Sequence, residues 1–200
     1  MAFLDKDYWT ERYATGKTGW DIGFASPPLI QYLDQIENKT LQVLVPGAGS
    51  GYEVAYARKL GFKNLHILDF SEEALVRFNA IDPGFPASQI HHQDFFEHQG
   101  SYDLILEQTF FCALDPSLRT NYALKMKELL KPNGKLVGVW FDREFDFDGP
   151  PFGGKSAEYR SLFEQYFDVI ICSPCYNSIP ERASSEVFMI LGNSKIQDVF

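Results

Sequence analysis

Two hundred residues allow one domain with a single sizeable core, and a content of 45% hydrophobic and 22% charged side chains is that of a globular chain rather than a disordered one. The 27 acidic side chains outnumber 18 lysines and arginines, and the resulting net charge of -9 argues against nucleic acid as substrate and against anionic membranes as a partner. Aromatic residues make up 16%, enough to wall a pocket as well as to fill a core.

The chain opens on a short helical pattern over 5–13, with Tyr8, Trp9, Arg12 and Tyr13 at helical spacing, and a glycine-bearing link over 15–19 stops it. Trp20 follows in a loop. The two tryptophans and Tyr13 flank this link ahead of any core strand, so the segment reads either as a movable N-terminal flap or as packing that holds the first helix down. Ser26 then caps a second helix with Pro27 at its first position and Leu29, Ile30 and Leu33 on its apolar face. No stretch is apolar over the roughly 18 residues that a membrane helix needs, and no cleavable leader is evident; a cytoplasmic protein is expected.

Residues 41–52, Leu-Gln-Val-Leu-Val-Pro-Gly-Ala-Gly-Ser-Gly-Tyr, organise the rest. The apolar run is a strand buried on both faces, and Gly47, Gly49 and Gly51 end it in a turn that leads into a helix from Tyr52. Such a turn lets backbone approach a ligand closely and aims helix N–H groups at it. No Lys-Ser/Thr follows Gly51, so this is not a triphosphate loop, and Tyr52 stands where the dinucleotide fingerprint needs glycine. The remaining pattern, G-x-G-x-G with Asp69 ending the next apolar run, suits a ligand that has a ribose but no pyrophosphate. Asp69 could accept both ribose hydroxyls.

Further on, Ser71 starts a helix through Asn79, and 89–93 reads as a short third strand delivering Asp94 and Phe95 to the same edge as Asp69. An acid and a ring there can hold an adenine; alternatively Asp94 caps the turn that follows it. A fourth strand spans 101–107, and Gln108 to Ala113 leaves it where ligands bind in open α/β sheets. The clearest helix runs from Pro116 to Leu130 and ends at Lys131-Pro132-Asn133-Gly134; a fifth strand follows over 135–141. Residues 142–155 carry Phe145, Phe147, Pro150, Pro151 and Phe152 among glycines and read as a lid or as an exposed irregular loop. A helix over 157–166 and two late strands, 167–173 and 186–191, close the chain, the strands paired antiparallel. Cys112, Cys172 and Cys175 form neither a redox pair at a helix N-terminus nor half of a tetrahedral site, so no metal is expected.

Five βα units, the glycine turn and the antiparallel closure are similar to the Rossmann-like, seven-stranded fold of S-adenosylmethionine-dependent methyltransferases, an α/β single domain with an antiparallel last strand. More specifically, Trp9, Tyr13 and the run Gly19-Trp20-Asp21-Ile22-Gly23, with residues 45–52, Gln93-Asp94-Phe95-Phe96, Thr109-Phe110-Phe111-Cys112-Ala113 and 130–134, resemble the thiopurine S-methyltransferase superfamily. Within it the chain looks most like the plant thiol and halide methyltransferases called "harmless to ozone layer". The resemblance covers about 8 to 192. It implies one methyltransferase domain over 1–200, with a flap and helices over 1–38 and a core over 41–192, acting as a monomer on a small-molecule acceptor with S-adenosyl-L-methionine as cofactor. It places cofactor contacts on Trp9, Tyr13, Trp20, Gly47, Asp69, Asp94, Phe95 and Gln108, beside the turn glycine Gly49. Tyr13 and Gln108 stand where the plant proteins carry Trp and Tyr, which bears on the acceptor.

Methyl transfer from a sulfonium is an in-line displacement, so the enzyme mainly aligns the reacting atoms. A soft anion such as a thiolate, hydrosulfide, thiocyanate or halide needs no base, only walls that strip its water; Phe110, Phe111, Trp140, Phe147 and Phe152 are the expected walls. An oxygen or nitrogen acceptor would instead need a base such as His91, Asp148 or Tyr159. A cofactor-binding module without turnover is the alternative from outside enzymology.

Overall fold

In the computed structural model, which describes residues 4–194, the glycine turn sits at the middle of a single sheet; residues 1–3 and 195–200 lie outside the described part. The strands are β1 (Gln42–Pro46), β2 (Asn64–Asp69), β3 (Ile90–His92), β4 (Tyr102–Gln108), β5 (Leu130–Phe141), β6 (Asp168–Pro174) and β7 (Glu186–Gly192). Their order across the sheet is β3-β2-β1-β4-β5-β7-β6. The first five are parallel, β7 runs antiparallel to both β5 and β6, and the expected antiparallel late pair is present. Because β1 is followed on one side by β2 and on the other by β4, the order reverses at β1. A crevice opens there beyond the carboxyl ends of the strands.

Both faces of the sheet are covered, which is why β1 reads as unbroken apolar sequence. Val43 and Val45 pack with Leu29 and Leu33 of α2 (Pro27–Asp34), Val54 and Ala57 of α3 (Tyr52–Lys59) and Phe78 of α4 (Glu72–Ile81). Leu44, between them, points the other way into a second cluster with Tyr122 and Met126 of α5 (Arg119–Leu129) and Tyr159 and Phe163 of α6 (Ser156–Phe163). Leu29 and Leu33 are fully buried, and each contributes on the order of 1.5–3 kcal/mol. Ser71 caps α4 as expected, its Oγ accepting from Ala74 N, whereas Ser26 makes no side-chain cap at α2.

Several element ends shift by one to five residues from the sequence reading, α6 for instance stopping at Phe163, and two shifts flank α5. Pro116–Leu118 is a 3-10 turn, with the Asp115 carboxylate accepting from Ser117 N, and the α-helix proper begins only at Arg119. After it, β5 starts at Leu130 rather than 135. Leu130 pairs with Tyr102, Lys135 with Leu104, and the segment between bulges out around Asn133 at φ 65. Asn193 holds the bulge by donating from Nδ2 to the Leu130 and Lys131 carbonyls at 2.9 and 3.2 Å. Among the described residues no helix is long and apolar enough to cross a membrane, and all three cysteines are free thiols.

Candidate active site

A cavity of about 260 Å³ occupies the crevice at the carboxyl ends of β1, β2 and β4. Its floor is the glycine turn. Gly47 and Gly49 adopt φ 56 and 55, and neither has room for a side chain: a Cβ on Gly47 would overlap the Phe110 ring, and one on Gly49 would come within 2.7 Å of Tyr13 Oη. The turn is fixed from below by Asp69. One carboxylate oxygen accepts from Gly49 N and the other from Ser71 N, each at 2.9 Å, so this acid ties the end of β2 to the end of β1. Burial pushes its pKa above the ordinary carboxylate value, although the backbone N–H groups that it accepts oppose that shift.

The N-terminal segment forms one wall. Trp9 and Tyr13 of α1 (Lys6–Ala14) meet Trp20 edge to face, with ring centroids 5.3 and 5.6 Å from it, and all three line the cavity. The segment is held by polar bonds that the sequence reading did not find. Arg77 donates to the Tyr13 carbonyl at 2.7 Å, Arg182 to the Trp20 carbonyl at 2.8 Å, and Ser50 Oγ to the Asp21 carboxylate at 2.8 Å. Behind them, Ser26 N donates to the buried Glu53 carboxylate at 2.9 Å. Lys17 lies exposed in the link between the two aromatic groups. Replacing Arg182 by alanine should therefore speed tryptic cleavage after Lys17 several-fold, with circular dichroism unchanged. An unaltered cleavage rate would show that the segment is held by its rings alone.

Of the remaining expected cofactor contacts, Asp94, Phe95 and Gln108 all line the cavity. The Asp94 carboxylate accepts from Phe96 N at 2.6 Å, so it makes the local turn as well as facing the site. Gln108 is the more informative side chain: its Oε1 is buried and has no hydrogen-bond partner among the described residues.

The expected aromatic walls are corrected. Phe110 lines the cavity, but Phe111 and Trp140 are buried in the core beneath it, Phe111 against Tyr122 and Tyr159 and Trp140 against Phe163. Consecutive residues in the 3-10 turn after β4 point in different directions, and residue 140 of β5 faces the α5–α6 layer. Phe147 is 55% exposed and stands off the cavity with Phe145. Phe152 is outside the lining too; its N–H donates to the Cys112 carbonyl at 2.7 Å, and from the same loop Pro150 and Pro151 reach the wall. Arg119 also ties this loop, donating to the Gly153 carbonyl at 2.7 Å. None of the base candidates lines the cavity: Tyr159 donates to the Phe141 carbonyl, Asp148 stays outside the lining although Pro150 in the same loop belongs to it, and His91 stacks on His66 at 5.2 Å.

The sequence reading also missed Glu107. It is 1% exposed, accepts from Phe110 N and Phe111 N at 2.8 and 3.0 Å and from Tyr122 Oη at 2.6 Å, and so holds the turn that places Phe110 over Gly47. Its signal in the sequence is an acid inside the apolar strand Leu104-Ile105-Leu106-Glu107, where a buried charge needs partners. Burial raises its pKa from 4.5 to about 7, against the three donated bonds. Between those values the folded chain holds a proton that the unfolded chain has lost. Stability from this group is therefore full below about pH 4.5 and declines as pH rises through 7, by on the order of 3 kcal/mol. Glu107→Gln should remove that decline, read as the difference between the two proteins' urea unfolding free energies at pH 5 and pH 8. A parallel pair of curves would show that Glu107 does not titrate there.

The model of the thiopurine S-methyltransferase family matches residues 4–186. "Probable thiol methyltransferase 2" of Arabidopsis thaliana is 31% identical over 77% of this chain and 70% of its own length. "Thiocyanate methyltransferase 1" of the same plant is 32% identical over 92% of this chain and 83% of its own. In fold the chain is similar to the 1,6-didemethyltoxoflavin-N1-methyltransferase of Burkholderia thailandensis, crystallised with 1,6-didemethyltoxoflavin and S-adenosylhomocysteine, at a TM-score of 0.74 over 96% of this chain and 88% of that one, with 17% identity. The match to the family model over nearly the whole described chain, together with these relatives, shows that the chain belongs to the thiopurine S-methyltransferase family.

Proposed function

We propose that this S-adenosylmethionine-dependent methyltransferase delivers the methyl group to a small soft nucleophile: a thiol, hydrosulfide, thiocyanate or halide. The observation that carries the choice is the composition of the wall. No histidine, lysine or arginine lines the cavity among the described residues. Its four carboxylates, Asp21, Glu53, Asp69 and Asp94, each already accept at least one hydrogen bond from the chain itself. An acceptor hydroxyl or amine would find only carboxylates that already serve the chain's own hydrogen bonds, whereas a halide or thiocyanate needs no base at all. The names of the two plant relatives, a thiol and a thiocyanate methyltransferase, support the same acceptors.

The residues present fit S-adenosylmethionine. When bound, it supplies a methyl group on a positively charged sulfur. Asp69 keeps lone pairs beyond the two that it gives to backbone N–H groups and would accept from ribose hydroxyls. The unpartnered Gln108 Oε1 would accept from the ligand's ammonium group, and Gly47 and Gly49 would allow the close backbone approach. Trp9, Tyr13 and Trp20 would turn ring faces and edges to the ligand, and a cation beside a ring face gains roughly 0.5–2 kcal/mol. Asp94 and Phe95 would take the adenine.

The same reading has residues 1–200 acting as one domain, monomeric and cytoplasmic, the 1–38 segment serving as a flap on the 41–192 core. The polar bonds between the two, among them those at Tyr13, Trp20, Asp21 and Ser26, support it. Calorimetric titration with S-adenosylmethionine, followed by a screen of hydrosulfide, thiocyanate, iodide and thiophenol, tests the function. Cofactor binding with turnover of at least one of the four is expected; turnover confined to oxygen or nitrogen acceptors would overturn the proposal.

A further inference from the structure

Behind the acceptor cavity lies a second, inner one. It measures about 10 Å³, room for one water, and Thr109 and Cys112 line both cavities, so they form the partition. The inner cavity's lining mixes apolar residues such as Val139 and Phe141 with residues that carry buried polar groups. Trp140 contributes an indole Nε1 that is buried without a hydrogen-bond partner among the described residues. Glu107 and Glu186 contribute carboxylates, 1% and 6% exposed. An unpartnered buried donor and two acids among the lining of a water-sized space make the setting in which an ordered water is held.

The proposed acceptors divide into two kinds. Iodide and thiocyanate arrive without a proton, but an alkanethiol is mostly protonated at neutral pH and must lose one, and the carboxylates among the described residues of the main cavity are those that tie the glycine turn, the N-terminal segment and the turn at Asp94 to the chain. We propose that Glu107 is the proton acceptor for protonated thiols, reached from the acceptor cavity across the Thr109–Cys112 partition through a water bonded to Trp140 Nε1. This rests on the methyl-transfer reading above. As the thiol's S–H bond breaks, its electron pair forms the new S–CH3 bond. The carbon–sulfur bond to the departing sulfur breaks with its pair going to that sulfur, which becomes a neutral thioether. The proton passes to the Thr109 hydroxyl or directly to the water, a proton moves on from the water to Glu107, and it leaves to solvent after turnover.

The surroundings of Glu107 suit the role. Tyr122 of α5 bonds its carboxylate, Cys112 and Tyr159 of α6 stand nearby as neutral groups with pKa values raised by burial, and Glu186 of β7 is paired with Arg182 at 3.5 Å. Among the described residues no cation touches the Glu107 carboxylate to hold it permanently ionised, and with its pKa near 7 both forms are populated at neutral pH.

The test uses the full chain with S-adenosylmethionine and two acceptors, iodide and ethanethiol. Glu107→Gln keeps an acceptor for the Phe110 and Phe111 N–H groups but cannot take a proton. The ratio of ethanethiol to iodide kcat/KM should fall at least tenfold in this variant, and likewise, by a smaller factor, in Trp140→Phe, which removes the donor that holds the water. Equal losses for both acceptors would reduce Glu107 to a positioning residue, and no loss would give the proton another exit; either overturns the inference. Should Glu107→Gln not fold, the Trp140→Phe ratio decides. A readout independent of turnover is the infrared carbonyl band of a buried carboxylic acid in the ligand-free protein. It should disappear between pH 5 and pH 9 in the wild type and be missing from Glu107→Gln; a band that persists at pH 9 would also overturn the inference. Wild-type protein inert toward both acceptors, with the band titrating as expected, would instead remove the methyl-transfer reading, and the proton's role with it.

Discussion

Gly49→Val should abolish measurable binding of S-adenosylmethionine, a loss of at least a hundredfold by calorimetry, while the sheet persists in circular dichroism. Two effects act together. A β-branched residue in the left-handed region costs roughly 1–2 kcal/mol, which a chain with both sheet faces covered can absorb. The new side chain also starts within 2.7 Å of Tyr13 Oη, so either Tyr13 leaves the cavity wall or the turn shifts away from Asp69. Gly49→Ala separates the two. Combined with Tyr13→Phe, which removes the oxygen in question, it should recover part of the affinity that Gly49→Ala alone loses. An additive pair would mean that the hydroxyl is not what the methyl group meets, and unchanged affinity in Gly49→Val would remove the turn from the site.

Asp69→Asn should weaken cofactor binding by about 1–3 kcal/mol, roughly tenfold to a hundredfold, although it changes only one atom. In the wild type both oxygens accept from backbone N–H groups. An asparagine can satisfy one of these with its carbonyl oxygen, but its amide then faces the other N–H donor to donor. The side chain must turn, and the tie between β1 and β2 is lost at Gly49 or at Ser71. Asp69→Ala should cost at least as much. Wild-type affinity in Asp69→Asn would show that neither the charge nor the two-sided bond shapes the site.

Both predictions rest on residues that could be found without coordinates, and the reason is local. Gly49 and Asp69 belong to two strand ends whose apolar runs, 43–45 and 65–68, are unmistakable, and parallel pairing brings such ends together. The rings of the N-terminal segment were legible for a similar reason, being large side chains near glycines ahead of the core. What the sequence hid depends on direction and on distant partners. Trp140 sits in an apolar strand whose two faces are both buried, so nothing in its period tells which layer it enters. Glu107 depends on Phe110, Phe111 and Tyr122, and Arg182 on the carbonyl of Trp20; backbone N–H and carbonyl groups carry no residue signature at all. The start of β5 was misplaced because Lys-Pro-Asn-Gly is strong turn sequence, yet Asn193 supplies the bonds that let the strand carry it as a bulge.

The bond from Arg182 to the Trp20 carbonyl spans 162 residues of chain. A ribosome delivers those residues in order, Trp20 first, and domains tend to take shape from the N-terminal side as they emerge. β1 and β2 can pair early and Arg77 and Ser50 can hold the N-terminal segment, but its last bond waits for Arg182, and β5 waits for β7 beside it. A nascent chain halted before residue 182 would thus combine a loosened aromatic segment with an unpaired strand edge, the kind of surface on which chaperones act and aggregates start. The final tenth of the polypeptide, remote from the glycine turn in sequence, thus supplies the last of the bonds that hold the N-terminal wall of the cavity.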